Sequence, residues 1–412
     1  MTKPVQVIEL RQKRCSLRFG VGACGAVGEP KCFQTYATCK FKEAFNQSGG
    51  LSWYFHRPGD PVPPTAAEPF DNFYYPPSIP ILQTVRTTPT RINLGGVREN
   101  EGPFGTRGQI SVSLEDFEFR NQFGDFYADE REVKGSLGRL LLAWIGEAVP
   151  QLELYLYTGT GGDTALTEMS IRRYDVTNIS PPSNGTWTIT AIDPLGRATR
   201  KKAQFPPATD LRLQSDINAT TTDISVSGLE TDVSKQMGND GFFYGRLGSE
   251  VIRYTGYTGS DGVWSLSGVR RGVLGTEQSN HNIDDGMQRV GHYQNVLYWQ
   301  MVNDLLSNHT TIPQDLIPFA GQWTPEGQTW LPTLRGTGTF TEPRAVADVC
   351  AEAMRDGMFS IWWDERTQQV KMLALRQPSE TPVELDERRS IVASAIKRTP
   401  EDRRTRVTIY YD

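Results

Sequence analysis

The chain has 412 residues, of which 37% are hydrophobic and 22% charged, with a formal net charge of -5. At roughly 150 residues per domain this predicts two to four domains of ordinary soluble globular type, and it excludes a small disulfide-stapled scaffold or a disordered chain. A net negative charge argues against general nucleic-acid affinity. Gly 39, Pro 26 and 10% aromatics predict many short strands joined by turns, a mainly β, loop-rich protein. The first fifteen residues carry charges where an export signal needs an unbroken apolar run. The longest apolar run, Leu140 to Ile145, is far shorter than the ~18 residues of a candidate membrane span. Neither export nor stable membrane insertion is expected.

In chain order, residues 1–48 come first, a locally basic segment (Lys3, Arg11, Lys13, Arg14, Arg18, Lys31, Lys40, Lys42) that holds Cys15, Cys24, Cys32 and Cys39. Eight, seven and six residues separate these cysteines in turn, so none forms the tight C-x2-C knuckle of a zinc finger. Without an export signal, an early cluster of four reads as a metal or cluster site before it reads as a disulfide framework. Four thiolates suit an iron-sulfur cubane, whose corners are within reach of wider loops, and zinc stays open as the alternative. Surrounding Lys and Arg offset the negative charge of either centre. Gly20 to Gly25 matches G-x-G-x-x-G, but without a strand-turn-helix context the match is coincidental.

Residues 49–80 hold Trp53, Tyr54, Phe70, Phe73, Tyr74 and Tyr75 among eight prolines between Pro58 and Pro80, and predict an extended arm or a packed connector. Alternation at Ile110, Val112 and Leu114, at Leu152, Leu154 and Leu156, and at Trp187 and Ile189 predicts a β domain over 81–208. Short strands at Asp223 to Val226, Val251 to Tyr254 and Val263 to Leu266, separated by glycine turns, predict a small inserted β-barrel over 209–292. The period then becomes helical at Val296, Trp299, Val302 and Leu306, ending before Pro313. A second helix is predicted to be capped by Thr341, to bury Val346, Val349, Cys350, Ala353 and Met354, and to stop at Gly357. A hairpin follows, Phe359 to Trp363 and Val370 to Leu375 with a turn through Asp364, and Arg406 to Tyr411 alternates like a strand in need of a partner. Residues 293–412 thus read as an α+β domain.

Motifs of catalysis are missing: there is no H-E-x-x-H, G-x-S-x-G or G-x-x-x-x-G-K-[ST], and the histidines number four, His56, His281, His292 and His309. Cys350 sits on an apolar helix face, where a core role is expected, and Asp364 and Glu365 read as solvated turn residues. The chain is not expected to be an enzyme.

Several of these stretches together resemble the baseplate hub, or tail-tip, proteins of long-tailed, siphovirus-like bacteriophages and of gene transfer agents. Cys15-Ser-Leu-Arg-Phe-Gly-Val-Gly-Ala-Cys24 and Lys31-Cys32-Phe-Gln-Thr-Tyr-Ala-Thr-Cys39 are similar to that family's cysteine module. Arg107-Gly-Gln-Ile-Ser-Val-Ser-Leu-Glu-Asp116, Arg172-Arg-Tyr-Asp-Val176 and Ala191-Ile-Asp-Pro-Leu195 are similar to strands of its ring-forming hub domain. Gly248-Ser-Glu-Val-Ile-Arg-Tyr254, Val269-Arg-Arg-Gly-Val-Leu-Gly-Thr276 and His281 resemble its small barrel insertion, and Phe359 to Leu375 its later α+β domain. The resemblance implies a multidomain hub, mainly β with some α+β, in which Cys15, Cys24, Cys32 and Cys39 hold a structural 4Fe-4S cluster.

It further implies a homotrimer at the virion tail tip, assembled in the host bacterial cytoplasm. Its partners would be the distal tail protein, the tape-measure protein and the central fibre or tip proteins, with DNA met only in transit during ejection. Two rival classes are a cell-envelope hydrolase built on the cysteines and a histidine or carboxylate, and a zinc-stabilised carbohydrate or surface-binding module using Trp53, Tyr54, Tyr74 and Tyr75.

Overall fold

Strict alternation of apolar and polar residues sets the first layer. In the computed structural model, which describes residues 3–14, 24, 49–61, 78–88, 90, 92, 102, 104–116, 118–119, 135–136, 152–161, 165–234 and 239–376, these alternating stretches are strands. They are β1 (Pro4–Arg14), β2 (Gly49–His56), β3 (Leu82–Thr88), β4 (Gln109–Glu115), the short pair β5 (Glu118–Phe119) and β6 (Gly135–Ser136), β7 (Leu152–Thr160), β8 (Ser170–Ser183) and β9 (Thr186–Ile192). Apart from β5 and β6, which pair with each other, they form one seven-stranded antiparallel sheet in the order β2-β1-β7-β8-β9-β4-β3. Ile8, Leu10, Trp53, Phe55, Ile110, Val112, Leu114, Leu154, Leu156, Tyr174, Trp187 and Ile189 all point to one buried interior. Each such side chain contributes about 1.5–3 kcal/mol when fully buried, and Phe55 meets Trp187 edge to face at 6.1 Å.

The two edges of this sheet meet. Ile79 donates its N–H to Tyr54 O (2.8 Å) and accepts from His56 N (3.0 Å), while Ile81 O accepts from Glu115 N (2.8 Å). Residues 78–82 therefore bond to β2 on one side and β4 on the other, and the sheet curls into a half-barrel bridged at that point. Both β1 and β2 belong to this barrel, although the sequence reading drew them into the 1–48 module and the 49–80 arm. Their alternation, Ile8 and Leu10 inward and Val5 and Val7 outward, is what recruits them. Of the arm itself, Phe70, Phe73, Tyr74 and Tyr75 lie outside the described residues.

After β9 the chain makes a helical turn (Pro194–Thr199) and a short strand β10 (Gln204–Phe205) before it enters a second sheet. That sheet comprises β11 (Leu211–Leu213), β12 (Ile224–Ser227), β13 (Phe243–Leu247), β14 (Glu250–Tyr254), β15 (Gly256–Ser260), β16 (Val263–Ser267) and β17 (Gly286–Arg289), with helix α1 (Glu230–Ser234) between β12 and β13. Its order is β14-β13-β17-β11-β12-β16-β15. The edge strands β14 and β15 are consecutive in the chain: Thr255 between them donates to Ser267 O (2.9 Å), so one bent strand serves both edges and wraps the sheet round its core. Leu211, Leu213, Ile224, Val226, Leu247, Ile252, Trp264 and Met287 fill it. The three strands anticipated here fall within one residue of β12, β14 and β16.

The chain returns as β18 (Gly291–Leu297), α2 (Tyr298–His309), α3 (Thr324–Trp330), β19 (Arg335–Phe340), β20 (Arg344–Ala345), α4 (Val346–Asp356) and the hairpin β21 (Phe359–Asp364) and β22 (Gln369–Ala374). Leu195, Ala198, Ala203 and Phe205 pack in the same core as these elements, so residues 194–205 join the third layer and not the preceding β domain. Phe205 is the pivot: it is fully buried, stacks on Tyr293 at 5.3 Å, and its strand β10 pairs with β20.

That pairing corrects the expected cap. Because Arg344 and Ala345 are tied to Phe205 and Gln204, α4 begins at Val346 with Ala345 in the cap position, and Thr341 lies upstream. The predicted stripe Val346, Val349, Cys350, Ala353 and Met354 is buried as expected. Gly357 does end the helix but at φ -83, and it is Met358 that takes the left-handed conformation (φ 54). Val296, read as the first helical residue, is the penultimate residue of β18. All these elements belong to the unit Met1–Leu375; the strand expected at 406–411 lies outside the described residues. No helix among the described residues is long and apolar enough to cross a membrane.

Candidate functional site

All four clustered cysteines fall between β1 and β2. These strands pair directly, with Arg14 opposite Gly49 and Lys13 opposite Gly50. Facing residues of an antiparallel pair stand about 4.5–5.5 Å apart, so the residues that flank the cysteine segment in the sequence, Arg14 and Gly49, lie side by side. Cys24 is half-buried and outside any disulfide; Cys15, Cys32 and Cys39 lie outside the described residues. On donor chemistry four thiolates fit either an iron-sulfur cubane or zinc.

The strands that carry this segment are braced by charge on the outer face of the barrel. Glu9, fully buried, accepts hydrogen bonds from Ser52 Oγ (2.5 Å) on β2, Arg11 Nε (2.9 Å) on its own strand and Tyr157 Oη (2.6 Å) on β7. Glu153 accepts from Tyr155 Oη (2.9 Å) and Arg173 Nη2 (2.7 Å), and the Arg11 guanidinium lies 4.4 Å from the centre of the Tyr155 ring. Burial, reinforced by the Glu9 carboxylate, holds the Tyr157 phenol well above its usual range. It therefore remains a hydrogen-bond donor. A strand slip by one residue would put Glu9 into the apolar interior, so this network holds the register from which residues 15–48 emerge.

A second polar centre explains the Gly248 to His281 motif. Glu250 is fully buried, and Arg271 grips it with two bonds (2.6 and 2.7 Å). Gly272 N (3.0 Å) and Ser279 N (3.0 Å) also donate to it, and His281 Nε2 stands 3.0 Å from Oε2. Arg271 spends its remaining donors on the carbonyls of Asn218 (3.0 Å), Thr221 (3.0 Å) and Ser279 (2.7 Å). Against the upward push of burial, the Arg271 guanidinium and the Ser279 N–H hold the Glu250 carboxyl down at about 2. Gly272 sits at φ +60, where a side chain would also meet Gln278 and Thr276 O. Arg271 and Gly272 thus lock three loops onto β14. With every donor engaged, the centre is architectural.

Between the first barrel and the third layer run further links. Arg197 holds Asp175 of β8 by two bonds (2.5 and 2.7 Å) and donates to Thr311 O (2.7 Å). Asp193 accepts from Gly108 N (2.9 Å) with Arg107 3.7 Å away, and burial pushes its carboxyl up to about 6. Glu365, in the hairpin turn, reaches Arg172 (3.3 Å) and Tyr174 Oη (3.5 Å), a role its turn position did not signal. Asp364 does what the turn requires, accepting from Arg366 N (3.0 Å) and Thr367 Oγ1 (2.8 Å).

Of the residues that the rival readings name, Cys15, Cys32, Cys39, Tyr74 and Tyr75 lie outside the described residues. Cys350 is wholly enclosed on α4 and burial raises its thiol far above the reactive range. The four histidines sit apart in separate contacts: His56 with Ser78, His281 with Glu250, His292 with Thr339, and His309 edge-on to Phe205. Trp53 is a core residue of the first barrel, which removes it from any exposed sugar platform. Among the described residues no three His, Cys, Asp or Glu side chains group to hold a metal ion. Compared with known proteins, the chain matches no family model and no curated relative.

Proposed function

We propose that this chain is a structural virion protein, a trimeric baseplate hub at a phage-type tail tip. It joins the distal tail ring to the central fibre and keeps the channel closed until DNA ejection. The observation that carries the reading is the pairing of β1 with β2, which flank the four-cysteine segment in the sequence, within one curled antiparallel sheet. A sheet curled on itself suits a ring component: neighbours meet it through side chains on its outer face, and heterologous contacts between such faces close into a ring. The resemblance of Arg107 to Asp116 and of Gly248 to His281 to hub segments supports the same reading, and both stretches are structured strands and turns.

In this role Cys15, Cys24, Cys32 and Cys39 hold a 4Fe-4S cluster. The cluster supplies metal-thiolate bonds that fix a segment with few large aliphatic side chains, as a structural metal fixes other small modules. β1 and β2 deliver both ends of the segment to one place. Distal tail, tape-measure and fibre proteins are the partners, and DNA passes without stable binding.

Anaerobic purification followed by an absorbance spectrum and iron, sulfide and zinc analysis tests the reading. A brown protein with about four iron and four sulfide per chain is expected, lost in Cys32→Ser, and phage particles carrying that change should fail in tail assembly. Zinc at about one per chain, or normal particles with Cys32→Ser, would overturn the cluster assignment.

A further inference from the structure

Residues 104–109 span the junction between the first sheet and the third layer. Phe104 is buried in the core of the third layer, whereas Gln109 opens β4 of the first sheet. Between them, the Arg107 guanidinium lies 5.3 Å from the centre of the Phe104 ring, a cation resting on an aromatic face. Asp193, which directly follows β9 and is 1% exposed, stands near the same guanidinium.

The two charged groups face each other without bonding. Arg107 Nη1 is 3.7 Å from Asp193 Oδ1, beyond the ~2.7–3.2 Å of an N–H···O bond. Among the described residues, Arg107 Nη1, Arg107 Nη2 and Asp193 Oδ1 are buried without a hydrogen-bond partner. Leaving complementary buried groups apart costs free energy that pairing them would recover, so a second arrangement lies within reach. The gap to close is about 0.8 Å, from the observed separation to ~2.9 Å.

The surroundings fix the carboxylate and leave room for the arginine. Asp193 Oδ2 is held by Gly108 N (2.9 Å). Gly196 spares the guanidinium a clash, because a Cβ there would lie 3.2 Å from Nη1. Other charges at the junction are already engaged: Asp175 of β8 is gripped by Arg197 and also acts on Arg200, while Glu365 of the hairpin turn meets Arg172 (3.3 Å) and Tyr174 Oη (3.5 Å). Arg107 is thus the cation left for Asp193. Arginine keeps its charge throughout, so Asp193 is the member of the pair that changes, and burial pushes its carboxyl up to about 6.

We propose that Arg107 is a two-position latch, resting on Phe104 while Asp193 carries a proton and moving onto the Asp193 carboxylate once that proton has left to water. In the first position residues 104–108 are anchored to the third layer through Phe104. In the second, Arg107 also ties them to the end of β9, so the anchorage of the start of β4 depends on pH. The inference is independent of the cysteine segment and of the hub reading.

The test is hydrogen exchange of the full chain from about pH 4 to 8, corrected for the intrinsic rate, on a peptide covering residues 104–112. Its protection relative to β16 should change in one step centred at about 6. Asp193→Asn should show the acid pattern at every pH. Arg107→Gln removes the charge that favours the carboxylate, so the midpoint should rise by about one pH unit, whereas Arg107→Lys should shift it less. Crystal structures of the wild type at about pH 4.5 and 8, on either side of the carboxyl's value, need no variant: the separation of 3.7 Å should persist in acid and close to ~2.9 Å in base. A wild type without the step, a step that persists in Asp193→Asn, a midpoint unmoved in Arg107→Gln, or an Arg107 in one position at both pH values would overturn the proposal.

Discussion

Replacing Glu250 by glutamine tests whether the second barrel depends on its buried ion pair. The substitution keeps the size of the side chain but turns one acceptor oxygen into a donor amide, set against the Arg271 Nη2 and Ser279 N groups that now donate to Oε2. Arg271, whose side chain is 1% exposed, would be left as a buried cation without a counter-charge. Removing one partner of a buried pair costs about 3–5 kcal/mol, a large part of the ~5–15 kcal/mol by which domains are stable. With a urea m-value of about 1–3 kcal/mol per molar, the unfolding step of this barrel should move down by roughly 1–5 M. The double variant Glu250→Leu with Arg271→Met removes both charges and should recover most of the loss.

Acidity gives an independent check. Since the Glu250 carboxyl is lowered from 4.5 to about 2 in the folded chain, its contribution is fully present above the unfolded value and is lost as pH falls towards 2. The gap between wild type and Glu250→Gln should therefore be constant above about pH 5 and narrow below it. A glutamine variant within about 0.5 kcal/mol of wild type at neutral pH, the spread of ordinary surface changes, would refute the reasoning.

Two further outcomes follow from packing and burial. In Gly291→Ala the new methyl would lie 2.4 Å from the Phe205 ring, which is itself stacked on Tyr293, so a loss of about 1–3 kcal/mol is expected in thermal melts; an unchanged melt would mean that the ring has room to move. Asp193 is raised from 3.8 to about 6, so its contribution is complete below the lower value and is lost as pH rises to the upper one. Wild-type stability relative to Asp193→Asn should fall across that interval and then level off, and a flat difference would refute the burial argument.

Much of the fold was legible locally. Period-two alternation marked β4, β7 and β9, and the stripe from Val346 to Met354 marked α4, because one face of each had to be buried and no other residues nearby competed for it. Helix ends were less legible. Thr341 has the chemistry of a cap, but the pairing of Arg344 and Ala345 with residues more than a hundred positions earlier sets where α4 begins. Trp53 read as an exposed aromatic, because nothing in its neighbourhood shows that β2 pairs with β1 across the cysteine segment. The motif from Gly248 to His281 was visible as a pattern, yet the meaning of Arg271 appears only when Glu250 is folded against it.

By itself, then, the sequence determined the mainly β character, the strand and helix stretches, and the four clustered cysteines, all of which follow from residue type and spacing within short windows. Only the tertiary structure decided that β1 and β2 belong to the first sheet, that residues 194–205 share a core with the third layer, and that Thr255 lets one bent strand serve both edges of the second sheet. These depend on contacts between distant parts of the chain, where hydrogen bonds and buried charge must be satisfied collectively and local propensity is silent.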